Sequence, residues 1–418
     1  MEVKKYKLGD CFIMAENGVV IKQSKEAKGL PITRIETLSN DCFNRDRLGY
    51  ANIFDEEKYK HYILDDMDLI MSHINSRTFL GRTVLYRKIG NERIIHGMNV
   101  LRIKTNQVIL SPIFAYYFFK TRFFKKCIDS IRKDAINQSS FALSDLKNLE
   151  IKIPTIEEQQ KIVYTLQLLD KKISTNTSIN DNLEAMAKQL YDYWFVQFDF
   201  PNEEGKPYKS SGGEMVWNEK FKREIPQGWS NGVLFDVANI TMGQSPDGSS
   251  YNEDGEGIIF YQGSTDFGLR FPDIRQYTTS PSRYANKGDI LMSVRAPVGA
   301  LNIANNDCCI GRGLSALSSK MGSMTHLYYL MNDFRLKFEG MNSAGTTFGS
   351  ITKDELFSLP VIIPTKSVIT EFEQVCEPIF DKQMIIGEEI NALTKQRDEL
   401  LPLLMNGQAS VNYHLSDN

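Results

Sequence analysis

Two stretches of the chain carry the same long hydrophobic rhythm. Steps of four and three from Ile162 land on Leu166, Leu169, Ile173, Asn176, Asn180, Leu183, Ala187, Leu190 and Trp194. The same steps from Phe372 land on Cys376, Ile379, Gln383, Ile386, Ile390, Leu393, Arg397, Leu400 and Leu404. That alternation holds apolar side chains on one seam of a helix, which paired helices require. One such stretch alone reads equally well as an amphipathic core helix. Two in the same register predict that the helices pair, with Ile162, Leu166, Leu169, Ile173, Leu183 and Leu190 facing Phe372, Ile379, Ile386, Ile390, Leu393 and Leu400. Thr155 with Glu158 forms a capping box behind Pro154, so the first helix should start at that proline–threonine pair.

The rhythm belongs to a longer repeat. At an offset of 210 residues Leu146 meets Leu356, Leu149 meets Leu359, Pro154 meets Pro364, Leu183 meets Leu393 and Leu190 meets Leu400. Further upstream Asp68-Leu69-Ile70-Met71-Ser72 is echoed by Asp289-Ile290-Leu291-Met292-Ser293, Tyr116-Tyr117 by Tyr328-Tyr329, and Ser140-Phe141 by Ser350-Ile351. The offset drifts from 221 to 212 to 210 along these pairs, so loops differ in length while the frame persists. The expected order is a globular unit (1–153), a helix (154–198), a Gly/Pro-rich linker leading into the second repeat (199–230), a second globular unit (231–363), a second helix (364–406) and a tail (407–418). Within the first unit Val19-Val20-Ile21, Leu69-Ile70-Met71 and Val84-Leu85-Tyr86 read as strands. Residues 112–128 read as one helix with Lys120, Arg122, Lys125 and Lys126 outward.

Composition describes an ordinary globular protein of more than one domain, since 418 residues exceed a single core. No apolar run reaches the ~20 residues of a membrane helix. The start Met-Glu-Val-Lys-Lys leads into no signal peptide. Six cysteines without a CxxC pair and five scattered histidines point to a reducing cytoplasm and no structural zinc. The net charge of −3 conceals an uneven distribution. Residues 1–152 hold 26 Lys+Arg against 18 Asp+Glu, while residues 153–220, 221–360 and 361–418 have balances of −4, −2 and −5. The first globular unit thus suits a polyanion, although a solvated surface explains the same surplus.

Catalytic apparatus is missing from the sequence. No GxxxxGK[ST] loop, no amino-methyltransferase element and no S-adenosylmethionine glycine motif occurs. Pro272-Asp273 opens like a PD…ExK nuclease centre, but no ExK follows at a useful distance. The histidines lack metal-ligand spacing, and no Ser or Cys has a nucleophile's setting. What remains are polar loops punctuated by glycine. Those of the second half contain Gln244 and Ser245, Tyr261 and Gln262, Arg295, Arg312, and Thr346 and Thr347. Those of the first half contain Asn75, Arg77, Arg82 and His96. Glycine lets backbone approach a ligand closely, Arg and Gln pair bidentately with guanine and adenine edges, and Ser and Thr reach phosphates or bases. If DNA is the ligand, Arg270, Arg275, Arg283, Lys287, Arg295 and Arg312 should gather on one face of the acidic second unit.

The string Leu149-Glu150-Ile151-Lys152-Ile153-Pro154…Glu158-Gln159-Gln160-Lys161-Ile162, with Ile225-Pro226-Gln227-Gly228-Trp229, Gly288-Asp289-Ile290-Leu291 and Gly345-Thr346-Thr347-Phe348 to Leu359-Pro360-Val361, resembles the DNA specificity subunit of type I restriction-modification systems. The resemblance covers nearly the whole chain. It implies an α+β architecture of two tandem mixed α/β target-recognition domains with two long helices packed as an antiparallel coiled coil. It also implies a subunit that reads a bipartite asymmetric site in double-stranded DNA without catalysing anything. Two modification (methyltransferase) subunits and restriction subunits are the implied partners, and S-adenosylmethionine, ATP and magnesium would be theirs, with no cofactor in this chain. Readings of other classes are a degenerate nuclease and a coiled-coil adaptor that ignores DNA. On the family reading the helices act as a ruler. One extra turn near Asn176, at ~1.5 Å per residue against ~3.4 Å per base pair, should part the half-sites by about one to two base pairs.

Overall fold

The computed structural model describes the chain except residues 1, 22–27, 40–41, 137, 344–348 and 412–418. It divides into two compact units, 1–173 with 392–418, and 174–391. The two are built on one plan.

In the first unit a four-stranded antiparallel sheet runs Phe12–Asn17, Val100–Thr105, Leu69–Ser72, Thr83–Leu85. Leu69 to Ser72 are all buried, so this strand is an unbroken apolar run rather than an alternating one. Helices Pro112–Phe119 and Arg122–Ile131 contribute Phe114, Phe118, Phe124 and Ile128 to the core beside that sheet. One continuous helix over 112–128 is not formed. Thr121 turns extended, and its hydroxyl accepts from Phe124 N (3.1 Å), capping a second helix instead. Val19-Val20-Ile21 is likewise no strand. Val19 makes a single bridge to Gly97 after the strand has ended at Asn17.

The second unit repeats the sheet as Ala238–Met242, Leu314–Ser319, Ile290–Ser293, Leu301–Ile303. Helix Met324–Ser343 supplies Leu327, Met331 and Phe334 to its core. In both units a short antiparallel pair joins the first strand to the one that leads into a long helix: Val3–Lys7 with Glu150–Pro154, and Ser230–Val233 with Pro360–Ile363.

The stretch 199–230, expected as a linker, is packed structure. Phe200, Ile225 and Trp229 are buried, Phe200 stacks on Trp229 at 5.2 Å, and Met215–Asn218 pairs with Arg223–Pro226. Its polar composition concealed three large apolar anchors spaced far apart in sequence.

The long helices span Ile156–Tyr191 and Lys366–Met405. Within each unit their segments run antiparallel. In the first, Asp170 accepts from Arg397 Nη1 (3.0 Å) and from the Tyr117 hydroxyl. In the second, Asn176 Nδ2 donates to Glu389 (2.8 Å), Gln383 Nε2 to Glu184 (2.8 Å), and Tyr191 meets Phe372. Every predicted seam residue is buried or half-buried. The polar seam positions Asn176, Gln383 and Arg397 carry the hydrogen bonds just given, whereas the buried Asn180 Oδ1 has no partner among the described residues. No described helix is long and apolar enough to cross a membrane, and all six cysteines are free.

Candidate nucleic-acid interface

At one end of the second unit's sheet four loops are tied together through main chain. Gly243 N donates to Leu314 O (2.9 Å) and Gln244 N to Ile310 O (3.0 Å). Gly311 N donates to Tyr261 O (2.8 Å) and Val294 N to Gly313 O (2.9 Å). The approach is close enough to require glycine. A Cβ on Gly243 would lie 2.2 Å from Gly311 O, and one on Gly313 would lie 2.7 Å from Gln262 O. The buried Asp266 carboxylate accepts from the backbone of Gln262 (2.8 Å) and Gly263 (3.3 Å), and the Ser245 hydroxyl accepts from Arg312 N (3.3 Å). With the backbone so fixed, the side chains of Gln244, Gln262, Arg295 and Arg312 are exposed on this rim. Arg283 joins them, because its carbonyl accepts from Ile310 N (2.9 Å). Forks of Arg and Gln on a rigid backbone suit the donor–acceptor edges of base pairs.

Of the six cations expected on one face, Arg283, Arg295 and Arg312 lie on the rim. Arg275 sits 3.8 Å from Asp273 and Lys287 3.7 Å from Glu388. Arg270 is buried against the helices and belongs to no surface. Tyr261 is also withdrawn from the predicted set. Its ring is fully buried, and only its carbonyl serves the rim. Thr346 and Thr347, with Gly345 and Phe348, lie outside the described residues.

The first unit repeats the tie made by Gln244 and replaces the one made by Gly311 with a bond to a side chain. Val19 N donates to His96 O (3.0 Å), Thr33 N to Ile95 O (2.9 Å), and Gly97 N to the Thr33 hydroxyl (2.9 Å). A Cβ on Gly18 would lie 2.2 Å from His96 O. Sheet register makes Gly18 the equivalent of Gly243, His96 of Ile310 and Met98 of Arg312, and the parallel pairings Ile32–Ile95 and Phe260–Cys309 make Arg34 the equivalent of Gln262. His96 is not a base reader. It occupies a core position with no exposure, and Nε2 donates to Val100 O (2.7 Å). The exposed tip of its loop is Met98-Asn99, and Arg34 is half-exposed beside Glu36. No local motif marks Arg34, Met98 or Asn99; only superposition of the two sheets finds them.

Asn75, Arg77 and Arg82 lie apart from these ties, on the loop after Leu69–Ser72. The Asn75 side chain accepts from Ser76 N (2.8 Å), and Arg77 is exposed. Arg82 is half-buried over the Phe79 ring (4.1 Å), with Nη1 donating to Leu38 O (3.2 Å). Lys125 is no outward cation, since its amine donates to Arg77 O (2.8 Å) and Leu80 O (3.0 Å).

Burial lowers the His96 pKa from 6.5 to about 4. The imidazole folds neutral, and its Nδ1 has no hydrogen-bond partner among the described residues. The unfolded chain binds this proton first, so the stability contributed is complete above pH 6.5 and drains as pH falls toward 4. The full loss is roughly 3 kcal/mol. His96→Gln keeps a donor for Val100 O without a titratable ring. Its thermal midpoint is expected to fall less steeply than the wild type's between pH 6.5 and 4, and parallel curves would refute the assignment.

Among the described residues no cluster of His, Cys, Asp and Glu is arranged to hold a metal. The family model for the type I restriction modification DNA specificity domain matches residues 1–185 and 226–399. The chain is 33% identical over 411 residues to the putative type I restriction enzyme MjaX specificity subunit of Methanocaldococcus jannaschii, covering 97% of this chain and 93% of that protein. It is 24% identical over 374 residues to the type I restriction enzyme HindI specificity subunit of Haemophilus influenzae, covering 73% and 79%. The crystal structure of a type I restriction-modification system S subunit from M. genitalium matches with a TM-score of 0.57 at 16% identity, covering 97% of this chain and 96% of that one. That last likeness is one of fold.

Proposed function

Because the chain belongs to the family of type I restriction-modification DNA specificity subunits, we propose that its two rims read the two halves of one bipartite, asymmetric site in double-stranded DNA. The observation that carries this is the duplicated rim. The tie from Gln244 N to Ile310 O recurs as Val19 N to His96 O on matching strands, while the side chains the loops present differ: Arg312 against Met98, and Gln262 against Arg34. Equal frames with unequal tips give two half-sites of different sequence. The long helices hold the half-sites at a set spacing and offer the surface on which two modification subunits and the restriction subunits assemble. The chain itself catalyses nothing; S-adenosylmethionine, ATP and magnesium act in those partners.

The test is to co-express the chain with its modification subunits and map methylated adenines across a genome. A two-part motif with a fixed gap is the expected result, and random or absent methylation from an intact complex would sink the reading. Arg312→Ala and Arg295→Ala refine it. Each lost base contact should cost ~1–3 kcal/mol and relax one position of one half-site. Uniform weakening over all sequences, with a shallower salt dependence, would make these residues phosphate contacts instead.

A further inference from the structure

One side chain of the second unit's globular part reaches both long helices. Arg270 lies in the loop before the Tyr277–Thr278 strand, and its carbonyl accepts from Ile303 N (3.0 Å), which ties it to the sheet. Its guanidinium sends Nη1 to Glu184 of the first helix (3.4 Å) and Nη2 to Gln383 of the second (3.2 Å). Gln383 Nε2 donates in turn to the same Glu184 oxygen (2.8 Å), closing a three-residue ring. The guanidinium also lies against the Tyr328 ring (5.6 Å) and the Phe380 ring (5.1 Å). Arg270 is only 7% exposed at its side chain, and Gln383 is fully buried. Next to it Phe271 packs so tightly on Gly387 that a Cβ there would lie 2.8 Å from the ring.

We propose that Arg270 is a positioning residue that locks the second recognition unit to its helix segments and thereby makes the enzyme strict about the gap between half-sites. A charged network of this kind, with Arg270 and Gln383 buried and Glu184 half-buried, contributes little net stability compared with apolar residues of similar volume, but it admits one geometry. A lock of that type matters here because each added base pair displaces a half-site by ~3.4 Å and rotates it by about a tenth of a turn. A unit free to rock on its helices can absorb that change, whereas a locked one cannot. The internal repeat does not supply the ring twice. At the 210-residue offset Glu184 meets Thr394 and Gln383 meets Ile173, and the first unit grips its segments with Tyr117, Asp170 and Arg397 instead.

This inference rests on the bipartite reading proposed above, and the experiment separates the two. The full complex methylates a plasmid library that keeps both half-sites and varies the gap by one and two base pairs. Wild type is expected to use one gap. The variant Glu184→Met/Arg270→Met/Gln383→Leu should fold with an equal or higher thermal midpoint and recognise the same half-sites. Its methylation at gaps one base pair longer or shorter should rise at least about tenfold, the ratio supplied by ~1.4 kcal/mol of relieved constraint. A merely structural role would move the midpoint and leave gap choice alone. A triple variant that keeps the wild-type gap, or one that fails to fold, overturns the lock. A wild type without a two-part motif overturns the functional reading.

Discussion

Gly243→Ala is expected to erase recognition of the half-site read by the second unit while leaving the first half-site's reader intact. The added Cβ would sit 2.2 Å from Gly311 O and 2.8 Å from Leu314 O, both main-chain atoms of the opposite loop. Neither oxygen can swing away as a side chain would, so the loops must part and the ties from Gly243 N and Gln244 N are lost. Overpacking of this kind costs ~1–3 kcal/mol of stability, which a well-packed unit can survive. Recognition suffers more, because Gln244 and Arg312 sit on the two loops being separated. At ~1–3 kcal/mol for each base contact, losing two lowers specific affinity by roughly 30-fold or more. Gly18→Ala is the matching change in the first unit, where the Cβ would meet His96 O at 2.2 Å, and it should erase the other half-site. Filter binding on DNA carrying each half-site alone, with a thermal melt of each variant, checks the pair. Unaltered affinity in a folded Gly243→Ala protein would show that the rim does not read DNA.

Phe372→Ala is expected to cost ~3–5 kcal/mol, the range for deleting a fully buried aromatic ring. Phe372 has no exposure and is enclosed by Tyr191, Trp194 and Phe195, with ring centroids 6.4, 5.5 and 4.8 Å away. Around the same point Val368, Ile369 and Cys376 of its own helix are buried with Trp229 from the packed 199–230 stretch. This aromatic cluster closes the turn after the first long helix onto the start of the second. For a unit of this size the loss shifts the melting midpoint by roughly 6–20 °C. Leu400→Ala, at a half-buried seam position in the other unit, should cost less, because less apolar surface leaves water there. Calorimetry of the two variants side by side decides the matter, and equal losses would contradict the burial argument.

How much of this was legible beforehand depends on the range of the interactions concerned. The helices were legible, because seam positions recur within one or two turns and each reports its own face. Leu69–Ser72 and its echo Ile290–Ser293 were legible for the same local reason. The break at Thr121 was not: a cap competes with helix continuation over a few residues, and Phe-rich sequence on both sides hides it. The 199–230 stretch was misread because Phe200, Ile225 and Trp229 are isolated among polar residues, and only their meeting in space makes a core. The rim was half legible. Glycines marked its loops, but the difference between a buried His96 and an exposed Met98, two residues on, depends on which neighbour the backbone is tied to.

The sequence by itself determined the tandem repeat, the pairing of two long helices, the glycine-punctuated loops and the family, because each is written in spacing or in short contiguous strings. The tertiary structure alone decided which loop residues face outward, that Arg270 belongs to the helices rather than to a DNA-facing surface, and that Gly18 and Gly243 hold equivalent places. Those facts arise from hydrogen bonds between residues far apart in sequence, such as Gln244 N to Ile310 O and Arg270 to Gln383, 113 positions apart. Contacts at that range leave no periodic trace in a single chain's sequence, since only the closed fold brings the partners within reach.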